Sequence, residues 1–264
     1  MTTKPRAKAS TSKRRARGGK DASPQRILVI DIGGTSVKLL ATGQTEPVQM
    51  PSDKALTPGR MAELVNEAAS GWDFEAVSIG YPGVVGSQGP RSEPGNLGSG
   101  WVGFNYAAAF ERPVRITNDA AMQALGSYEG GRMLFLGLGT GLGSAFIAQN
   151  VIVPLELGGL PWRRGRQLWE VLGREGLKRA GRRAWRKELL AVLEKLSGAF
   201  SVDYVVLGGG NAKHLKRRVP GIHISNNLAA FRGGFRLWNL PDVPTLSAEG
   251  VTASGPVSTD WRVV

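Results

Sequence analysis

Residues 29–40, VIDIGGTSVKLL, place two glycines and two hydroxyl side chains between apolar runs. Glycine lets backbone N–H groups approach an anion without interference from a Cβ atom, and it also permits positive φ angles. The hydroxyls add donors and the lysine adds a positive charge, so this stretch is suited to hold phosphate. The phosphate ligands predicted here are Gly33, Gly34, Thr35 and Lys38. For Lys38, a solvated position on the face of a strand is an equally good interpretation.

A second stretch repeats this design about a hundred residues later. Residues 133–149, MLFLGLGTGLGSAFIAQ, again consist of an apolar strand, a glycine turn and an apolar strand. Two related hairpins indicate a duplicated lobe, and the second turn predicts further phosphate ligands at Gly139, Thr140 and Gly141. The nucleotide P-loop pattern is absent, and GLGTGLG leads into a strand rather than a helix, which argues against a dinucleotide fingerprint. The alternative is that each cluster is only a tight turn.

The elements around these turns alternate between strands and helices. RILVIDI and SVKLLAT predict a β-hairpin, while AVSIGYPG, VRITND and DYVVLGGG predict further strands. Helices are predicted in LVNEAASGW, AAMQALGSYEG, AWRKELLAVLEKLSGAF and NLAAFRGGFRLW. We therefore expect an α/β protein with a cleft between two similar lobes. The predicted organisation is a disordered basic tail (1–25), an N-terminal lobe (26–117), a C-terminal lobe (118–238) and a mobile C-terminal tail (239–264).

Composition excludes several kinds of protein. The 264 residues include no cysteine, so disulfides, thiolate nucleophiles and cysteine-bound zinc are excluded. No apolar run approaches the roughly 18 residues of a spanning helix, and a cytoplasmic protein without membrane contact is predicted. Much of the net charge of +13 lies in residues 1–20, which contain Lys and Arg but no acid. This basic tail is predicted to be disordered and to touch polyanions.

Seven motifs occur in the order seen in the ROK family of sugar kinases, and the chain most resembles the compact glucokinase and polyphosphate glucokinase branch. They are DIGGTSVK, YPGVVGSQG, NLGSGWVG, TNDAAMQALG, GLGTGLGSAF, LELGGL and VVLGGGNAK. The resemblance covers roughly residues 27–238. It implies two actin-like (ribonuclease H-like) lobes, one hairpin from each holding the phosphoryl donor. It also implies a hexose acceptor, with glucose expected, and ATP or inorganic polyphosphate as donor together with Mg²⁺.

The resemblance assigns roles to particular residues. Phosphoryl transfer needs an oriented nucleophile, a proton acceptor and neutralisation of the donor's charge. In the resembling kinases the aspartate that matches Asp119 accepts the proton of the sugar hydroxyl, which is general base catalysis. The alternative for Asp119 is an ordinary helix N-cap. The sugar contacts implied are Asn118, Glu156 and Gly83, and the glycines beside the adenosine of ATP are Gly208, Gly209 and Gly210.

Asp31, at the end of the first predicted strand, is the candidate metal ligand. Mg²⁺ prefers one or two carboxylates together with water and phosphate oxygens, so Asp31 is predicted to hold hydrated Mg²⁺ through water. The alternative is a carboxylate that accepts hydrogen bonds from its own turn.

The chain departs from the family at the sugar site. The family pattern E-x-G-H has glutamate and histidine contacting the sugar, but here Gly159 occupies the histidine position. Such a polar contact is worth about 0.5–1.5 kcal/mol, so its loss weakens sugar binding by up to about tenfold. The zinc-binding cysteine cluster of many family members is also missing, so no zinc is predicted.

Residues 163–187 are strongly basic. A helix would align four cations at intervals of four residues, and such a ridge could track polyphosphate. The alternative is a solvated face, and three glycines argue against one continuous helix. The cations are Arg174, Lys178, Arg182 and Arg186, and the glycines are Gly173, Gly176 and Gly181. A homodimer is the remaining partner predicted.

Two functions are compatible with these features. One is a sugar kinase, and the other is a catalytically weakened ROK-type sugar-binding or regulatory protein. Family repressors carry a helix-turn-helix domain before the kinase fold, and the roughly 25 residues before the first strand are too few for one. Because both hairpins and both aspartates are present, the sequence predicts the kinase.

Overall fold

The computed structural model describes most of the chain from residue 24 onward. The described residues are 24–215, 218–226, 228–240, 243–248 and 250–252. The prediction for the basic tail therefore falls almost wholly outside them, as does that for the last twelve residues. Among the helices in these ranges, none is long and apolar enough to cross a membrane.

The first sheet has seven strands built around three parallel ones. They are β1 (Ile27–Ile32), β2 (Ser36–Ala41), β3 (Val48–Pro51), β4 (Ala76–Tyr81), β7 (Val114–Asn118), β13 (Thr245–Ser247) and β14 (Gly250–Thr252), with β5 (Val85–Gly86) and β6 (Gly89–Pro90) forming a separate pair. Their order is β14-β13-β7-β4-β1-β2-β3, and β1, β4 and β7 are parallel. Leu28, Val29 and Ile30 of β1 are fully buried, as expected for a central strand covered on both faces.

The second sheet repeats the central part of the first. Its strands are β8 (Arg132–Leu138), β9 (Leu142–Ala148), β10 (Val151–Leu155), β11 (Tyr204–Gly208) and β12 (Ile222–Ile224), in the order β10-β9-β8-β11-β12. In each sheet three consecutive antiparallel strands lie beside a parallel strand, β4 next to β1 and β11 next to β8. The duplicated lobe predicted from the two hairpins is thus confirmed.

Six α-helices complete the fold. They are α1 (Pro58–Ala68), α2 (Tyr106–Phe110), α3 (Asp119–Ser127), α4 (Leu168–Leu172), α5 (Arg174–Phe200) and α6 (Ala229–Arg236). The outer face of the first sheet is covered by α1 and α2, and that of the second by α4 and α5. Between the two sheets lie α3 and α6. The result is an α/β fold of five alternating layers.

The two central helices cross at glycines. A Cβ atom added at Gly126 of α3 would overlap the carbonyl oxygen of Ala229, and one at Gly233 of α6 would overlap that of Met122. Because the backbones touch, only glycine fits at either position. This close crossing holds α6 against both α3 and β1.

Helix α5 is not continuous. Gly181 within it has φ 71° and ψ 161°, which interrupts the helical path between residues 174–180 and residues 182–200. The break expected from the glycines of this region is therefore confirmed at Gly181. Buried Trp185, Leu189 and Val192 on the second part pack into the core of the second lobe.

Part of the segment from residue 239, predicted to be a mobile tail, forms strands β13 and β14 of the first sheet. Leu246 of β13 pairs with Val114 of β7, and its side chain packs against the core of the first lobe. The half-buried Arg115 guanidinium stacks on Trp238 and donates hydrogen bonds to the carbonyl oxygens of Leu237 and Leu240. The chain therefore returns to the first sheet, and the lobe boundaries stay a prediction.

Candidate active site

Three parallel strands bring the predicted acidic residues to one edge of the first sheet. Asp31 lies near the end of β1, while Asn118 ends β7 and Asp119 begins α3. Gly83 follows β4, which lies between these two strands. Ligands of open α/β sheets bind beyond the carboxyl ends of the strands, and this edge faces the second lobe through α3.

The first predicted phosphate turn joins β1 to β2. The N–H of Gly33 donates to the carbonyl oxygen of Ser36 over 2.9 Å. A Cβ atom at Gly34 would lie 3.1 Å from the Asn96 side chain. Neither glycine has a positive φ, so a left-handed backbone does not explain why glycine occurs here. The close approach of neighbouring atoms explains it. Within the described ranges, the amides of Gly34 and Thr35 donate no hydrogen bond.

The second predicted phosphate turn joins β8 to β9. The amide of Arg174, at the start of α5, donates to the carbonyl oxygens of Gly139 and Thr140 over 3.0 and 3.2 Å. The side chain of Asn211 also donates to Gly139, over 3.1 Å. The carbonyl groups of Gly139 and Thr140 are thus engaged in hydrogen bonds within the protein. The amides of Thr140 and Gly141 have no acceptor among the described residues and are left as donors.

Both turns line one cleft of about 510 Å³. The predicted site residues that line it are Gly33, Gly34, Thr35, Gly83, Asn118, Asp119, Gly139, Thr140, Gly141, Glu156, Gly209 and Gly210. The two lobes thus contribute to a single cavity. Asp31, Lys38 and Gly208 are the predicted site residues that do not line it.

Asn118 positions Asp119. The Oδ1 atom of Asn118 accepts from the amides of Ala120 and Ala121 over 3.0 and 3.1 Å, so Asn118 is the N-cap of α3. Its Nδ2 atom donates to the carbonyl oxygen of Gly83 over 3.1 Å. The N-cap interpretation of Asp119 is therefore wrong, because the residue before it has that role. Asp119 occupies the first turn, where its carboxylate accepts from the amide of Ala120 over 2.8 Å.

The electrostatics of the two aspartates suit a proton acceptor at neutral pH. Burial raises the pKa of Asp119 to about 7, with a further upward contribution from the nearby Asp31 carboxylate and a smaller one from Glu156. Burial also raises the pKa of Asp31, to about 6, against the opposing effect of Lys38. A general base works best when its pKa lies near the operating pH. Asp119 meets that condition.

Lys38 is placed away from the cleft. It lies directly opposite Asp31 across the β1–β2 ladder and is half-buried. This position gives no support to the predicted contact with phosphate. It also does not support the alternative, in which Lys38 lies on a fully solvated strand face. The effect that the structure does give it is electrostatic, since it favours the charged form of Asp31.

Glu156 is held by a buried serine. The hydroxyl of Ser144 donates to the carbonyl oxygen of Leu155 over 2.8 Å and accepts from the amide of Leu157 over 3.0 Å. These two bonds fix the backbone on both sides of Glu156. At Gly159, where the family has histidine, an added Cβ atom would meet nothing within 4 Å. The space for a larger side chain is therefore open.

The three glycines after β11 have different environments. Gly209 has φ 77°, and a Cβ atom there would lie 2.5 Å from the carbonyl oxygen of Leu138. A Cβ atom at Gly208 would lie 2.5 Å from the ring of Phe135, in the packing behind the cleft. Gly209 and Gly210 line the cleft. Two of the three glycines predicted beside a nucleotide thus reach the cavity.

Sequence reasoning missed the four other cleft residues that have polar or charged side chains. They are Asn96, Gln123, Ser144 and Arg174. Asn96 begins the motif NLGSGWVG, and Gln123 follows Asp119 by about one helical turn. Motif position and helical spacing could therefore have identified both residues. Arg174 was assigned to a surface ridge, yet it is the one cationic residue among those that line the cleft.

The structure gives no support to the ridge interpretation of the four cations. The break at Gly181 separates Arg174 and Lys178 from the two arginines that follow, so one helical face does not carry all four. Lys178 lies 3.5 Å from Glu175 in an exposed ion pair, and such pairs contribute little. A continuous track along α5 is therefore absent from this part of the chain.

Asp31 has the properties of a ligand for hydrated Mg²⁺. Its carboxylate forms no hydrogen bond with its own turn in the described structure, which leaves the alternative interpretation without support. No group of three or more His, Asp or Glu side chains in the described ranges could hold a metal ion. Mg²⁺ that keeps its waters needs only one or two carboxylates and phosphate oxygens, and Asp31 beside the first turn fits that requirement.

Comparison with known proteins gives relatives by sequence and by structure. No family model matches the chain. The polyphosphate glucokinase of Mycobacterium leprae is 29% identical over 221 aligned residues, which cover 72% of this chain and 65% of that protein. The match thus spans just under two thirds of that relative's length.

Two solved structures have the same fold. The inorganic polyphosphate/ATP-glucomannokinase from Arthrobacter sp. strain KM superposes with a TM-score of 0.70 at 25% identity, covering 81% of this chain and 98% of that one. A ROK family glucokinase from Streptomyces griseus, solved with glucose and AMPPNP, gives 0.62 at 17% identity, covering 81% and 98%. At that identity the second likeness shows the fold alone. In sequence the chain is therefore similar to polyphosphate glucokinases, and in fold it is similar to ROK sugar kinases.

Proposed function

We propose that this protein transfers a phosphoryl group from ATP or inorganic polyphosphate to a hexose, with glucose as the expected acceptor. One observation carries the proposal. Free amides of two hairpin turns, one from each lobe, lie in the same cleft as a carboxylate whose pKa is about 7. Converging N–H groups bind anions, and a carboxylate of that pKa accepts a proton from an attacking hydroxyl. The amides are those of Gly34, Thr35, Thr140 and Gly141.

In this mechanism Asp119 is the general base. It removes the proton of the sugar hydroxyl as that oxygen attacks the terminal phosphorus of the donor, and the bond from phosphorus to the leaving oxygen breaks. Asn118 keeps Asp119 oriented through the start of α3, and its remaining N–H can bind a sugar hydroxyl. Glu156, on its fixed segment, binds the sugar from the second lobe.

The donor's charge is neutralised from several sides. The two turns supply amide donors, and Arg174 supplies a full positive charge at the edge of the second turn. Asp31 would hold Mg²⁺ through water, and the bound ion would neutralise phosphate oxygens. Preorganised charge of this kind is often the largest contribution to rate.

The names of the relatives bear on donor and acceptor. One is called a polyphosphate glucokinase and another an inorganic polyphosphate/ATP-glucomannokinase. We therefore propose that both donors compete for this cleft, and that mannose is a second acceptor to test. The cytoplasmic location, the homodimer and the polyanion contact of the basic tail stay predictions.

The sugar-binding or regulatory alternative gains no observation in its favour. The proposed base is present, and both turns keep free amides in the cleft. The missing histidine weakens one sugar contact and removes no element of the transfer chemistry.

A panel of acceptors crossed with donors tests the proposal. Glucose, mannose and galactose are each incubated with Mg²⁺ and either ATP or polyphosphate, and hexose phosphate is measured. We expect phosphorylation of glucose with one donor or both. Hexose binding in calorimetry without hexose phosphate from any combination would show that the protein binds sugar but is no kinase.

A further inference from the structure

A second pocket shares no lining residue with the cleft. It has a volume of about 360 Å³ and is enclosed by α4, α5 and the loop that precedes α4. We call it the arginine pocket after its four cations, Arg163, Arg164, Arg166 and Arg179. None of these residues lines the interlobe cleft.

The loop that carries three of these arginines is a closed hairpin. The amide of Trp162 donates to the carbonyl oxygen of Arg166 over 2.6 Å, and Pro161 bridges to Gln167 just outside. Arg164 at the tip has φ 60° and ψ 36°, a left-handed conformation that is uncommon for a residue other than glycine. The hairpin therefore places the three arginines on one short and defined turn.

Aromatic side chains form part of the wall. Trp185 is fully buried and its indole N–H donates to the carbonyl oxygen of Leu172. Trp162 is half-buried, and the Arg163 guanidinium lies 5.3 Å from the centre of its ring. The wall of the pocket is thus continuous with the core of the second lobe, while its four arginines are exposed to solvent.

The charge of the pocket is unbalanced. Glu188 is the one acid among its lining residues, and it already accepts from the indole of Trp162 over 2.8 Å and pairs with Arg163 at 3.5 Å. Arg179 donates to the carbonyl oxygen of Glu170, which carries no charge. Within the described structure Arg164 and Arg166 form no ion pair. Four guanidinium groups therefore face one carboxylate that is already engaged.

We propose that the arginine pocket binds a multiply charged phosphate anion, at a site separate from the catalytic cleft. The planar guanidinium fork matches two phosphate oxygens at once, and its weak hydration lowers the cost of binding. The volume is that of a small-ligand site and can hold a few linked phosphate groups.

Two sources could supply this anion. One is a distal stretch of a polyphosphate donor, and this source rests on the proposed function. Arg179 follows Arg174 of the cleft by five residues, about 7.5 Å along the helix axis, so a long chain could reach both places. The other source is a free compound with linked phosphates that binds the pocket alone.

Calorimetry with tripolyphosphate tests the site itself. The full chain is compared with the double variant Arg164→Gln/Arg166→Gln and with a control of equal charge change, Arg60→Gln/Lys195→Gln, whose residues line neither cavity. All three proteins keep the basic tail, so its contribution cancels. We expect the pocket variant to bind one tripolyphosphate ion per chain fewer than the wild type and the control, which should bind equal numbers. Equal stoichiometry and affinity in all three proteins would overturn the proposal.

Kinetics with long polyphosphate separates the two sources. If the pocket holds the distal donor chain, the pocket variant should raise KM for long polyphosphate about tenfold or more while KM for ATP stays unchanged. If the anion is a free compound, the variant should lose the second tripolyphosphate site with KM for both donors unchanged. Absence of kinase activity would remove the proposed function, and the calorimetric stoichiometry would still decide whether the pocket is a site.

Discussion

At the scale of single residues, the chemistry depends on groups that prepare Asp119 for its role. Burial and the neighbouring Asp31 raise its pKa, and Asn118 fixes the turn on which it stands. An ordinary surface aspartate would be fully ionised at neutral pH and a weaker proton acceptor. The environment therefore supplies the basicity that the reaction needs.

Replacing Asp119 with Asn should lower kcat by about 10²–10⁴-fold, the usual contribution of a general base. Asparagine has nearly the same shape and can still accept from the amide of Ala120, so hexose affinity should change little. Steady-state kinetics and calorimetry with the hexose measure the two effects. Turnover near the wild-type rate would show that Asp119 is not the base.

The pH dependence should follow the ionisation of Asp119. The base acts in its charged form, so kcat/KM should fall as the pH drops through about 7 and level off above it. Carboxyl ¹³C NMR of the metal-free protein should show one aspartate titrating near 7 that is missing in Asp119→Asn. In Asp31→Asn that titration should move to lower pH, because a neighbouring negative charge is gone. A titration near 4 in the wild type would contradict the assignment.

Gly159→His should tighten glucose binding by up to about tenfold, the value of one restored polar contact. The Cβ position is open, so the ring can be accommodated without displacing a neighbour. Gly159→Ala, which adds no polar group, is the matched control and should leave the affinity unchanged. A weaker or unaltered affinity in the histidine variant would indicate an acceptor other than glucose.

Most of the candidate site could be predicted because its residues stand in local patterns. The glycine turns and the strand that ends in Asn118 and Asp119 are short contiguous signals. Arg174 could not be placed in this way, since the turn of one hairpin meets the start of a distant helix only in the folded chain. Lys38 was misplaced because alternation along a strand does not show which face meets the cleft.

At the scale of elements, the contact between α3 and α6 deserves a specific test. These helices cross so closely at Gly126 and Gly233 that backbone atoms meet. The helix that carries Asp119 is thereby held by a segment more than a hundred residues further along the chain. Any side chain at the crossing must push the two helices apart.

Gly126→Ala should destabilise the protein by about 1–3 kcal/mol or more, the cost of overpacking a filled core. Gly198→Ala is a suitable control. Gly198 is an exposed residue of α5, and an added Cβ atom there meets nothing within 4 Å. In that helix alanine should be neutral or stabilise by up to about 1 kcal/mol. Urea unfolding of both variants gives the comparison, and equal stabilities would show that the crossing can relax.

The elements divide into those with a strong sequence signal and those without one. Buried strands and the hairpins were predictable from apolar runs interrupted by glycine. Strand β13 was not, because its three residues, Thr245–Ser247, include one apolar side chain and take their place by pairing with β7. Short strands of this kind are specified by their partners more than by their own composition.

At the scale of the whole molecule, the two sheets are joined through a shared middle layer. Helix α3 buries side chains against both sheets and α6 buries side chains against the first, so neither sheet has a complete core without this layer. The two lobes should therefore unfold together, although the sequence repeats the same arrangement twice.

Hydrogen exchange measured by mass spectrometry can test this coupling. Amides of β1 and β8, which lie at the centres of the two sheets, should exchange with the same opening free energy in the wild type. In Gly126→Ala both values should fall by the same amount. Two clearly different opening free energies in the wild type would mean that the lobes unfold independently.

The Asn118 amide has a consequence for how substrates are discriminated. Its Oδ1 atom caps helix α3, which carries Asp119, and its Nδ2 atom donates to the loop that follows β4. In the proposed reaction, a sugar that fits poorly against Gly83 should therefore disturb the orientation of the Asp119 carboxylate as well as its own binding. Poor acceptors should accordingly lower kcat more than they raise KM, so that selectivity arises in the transfer step instead of in binding.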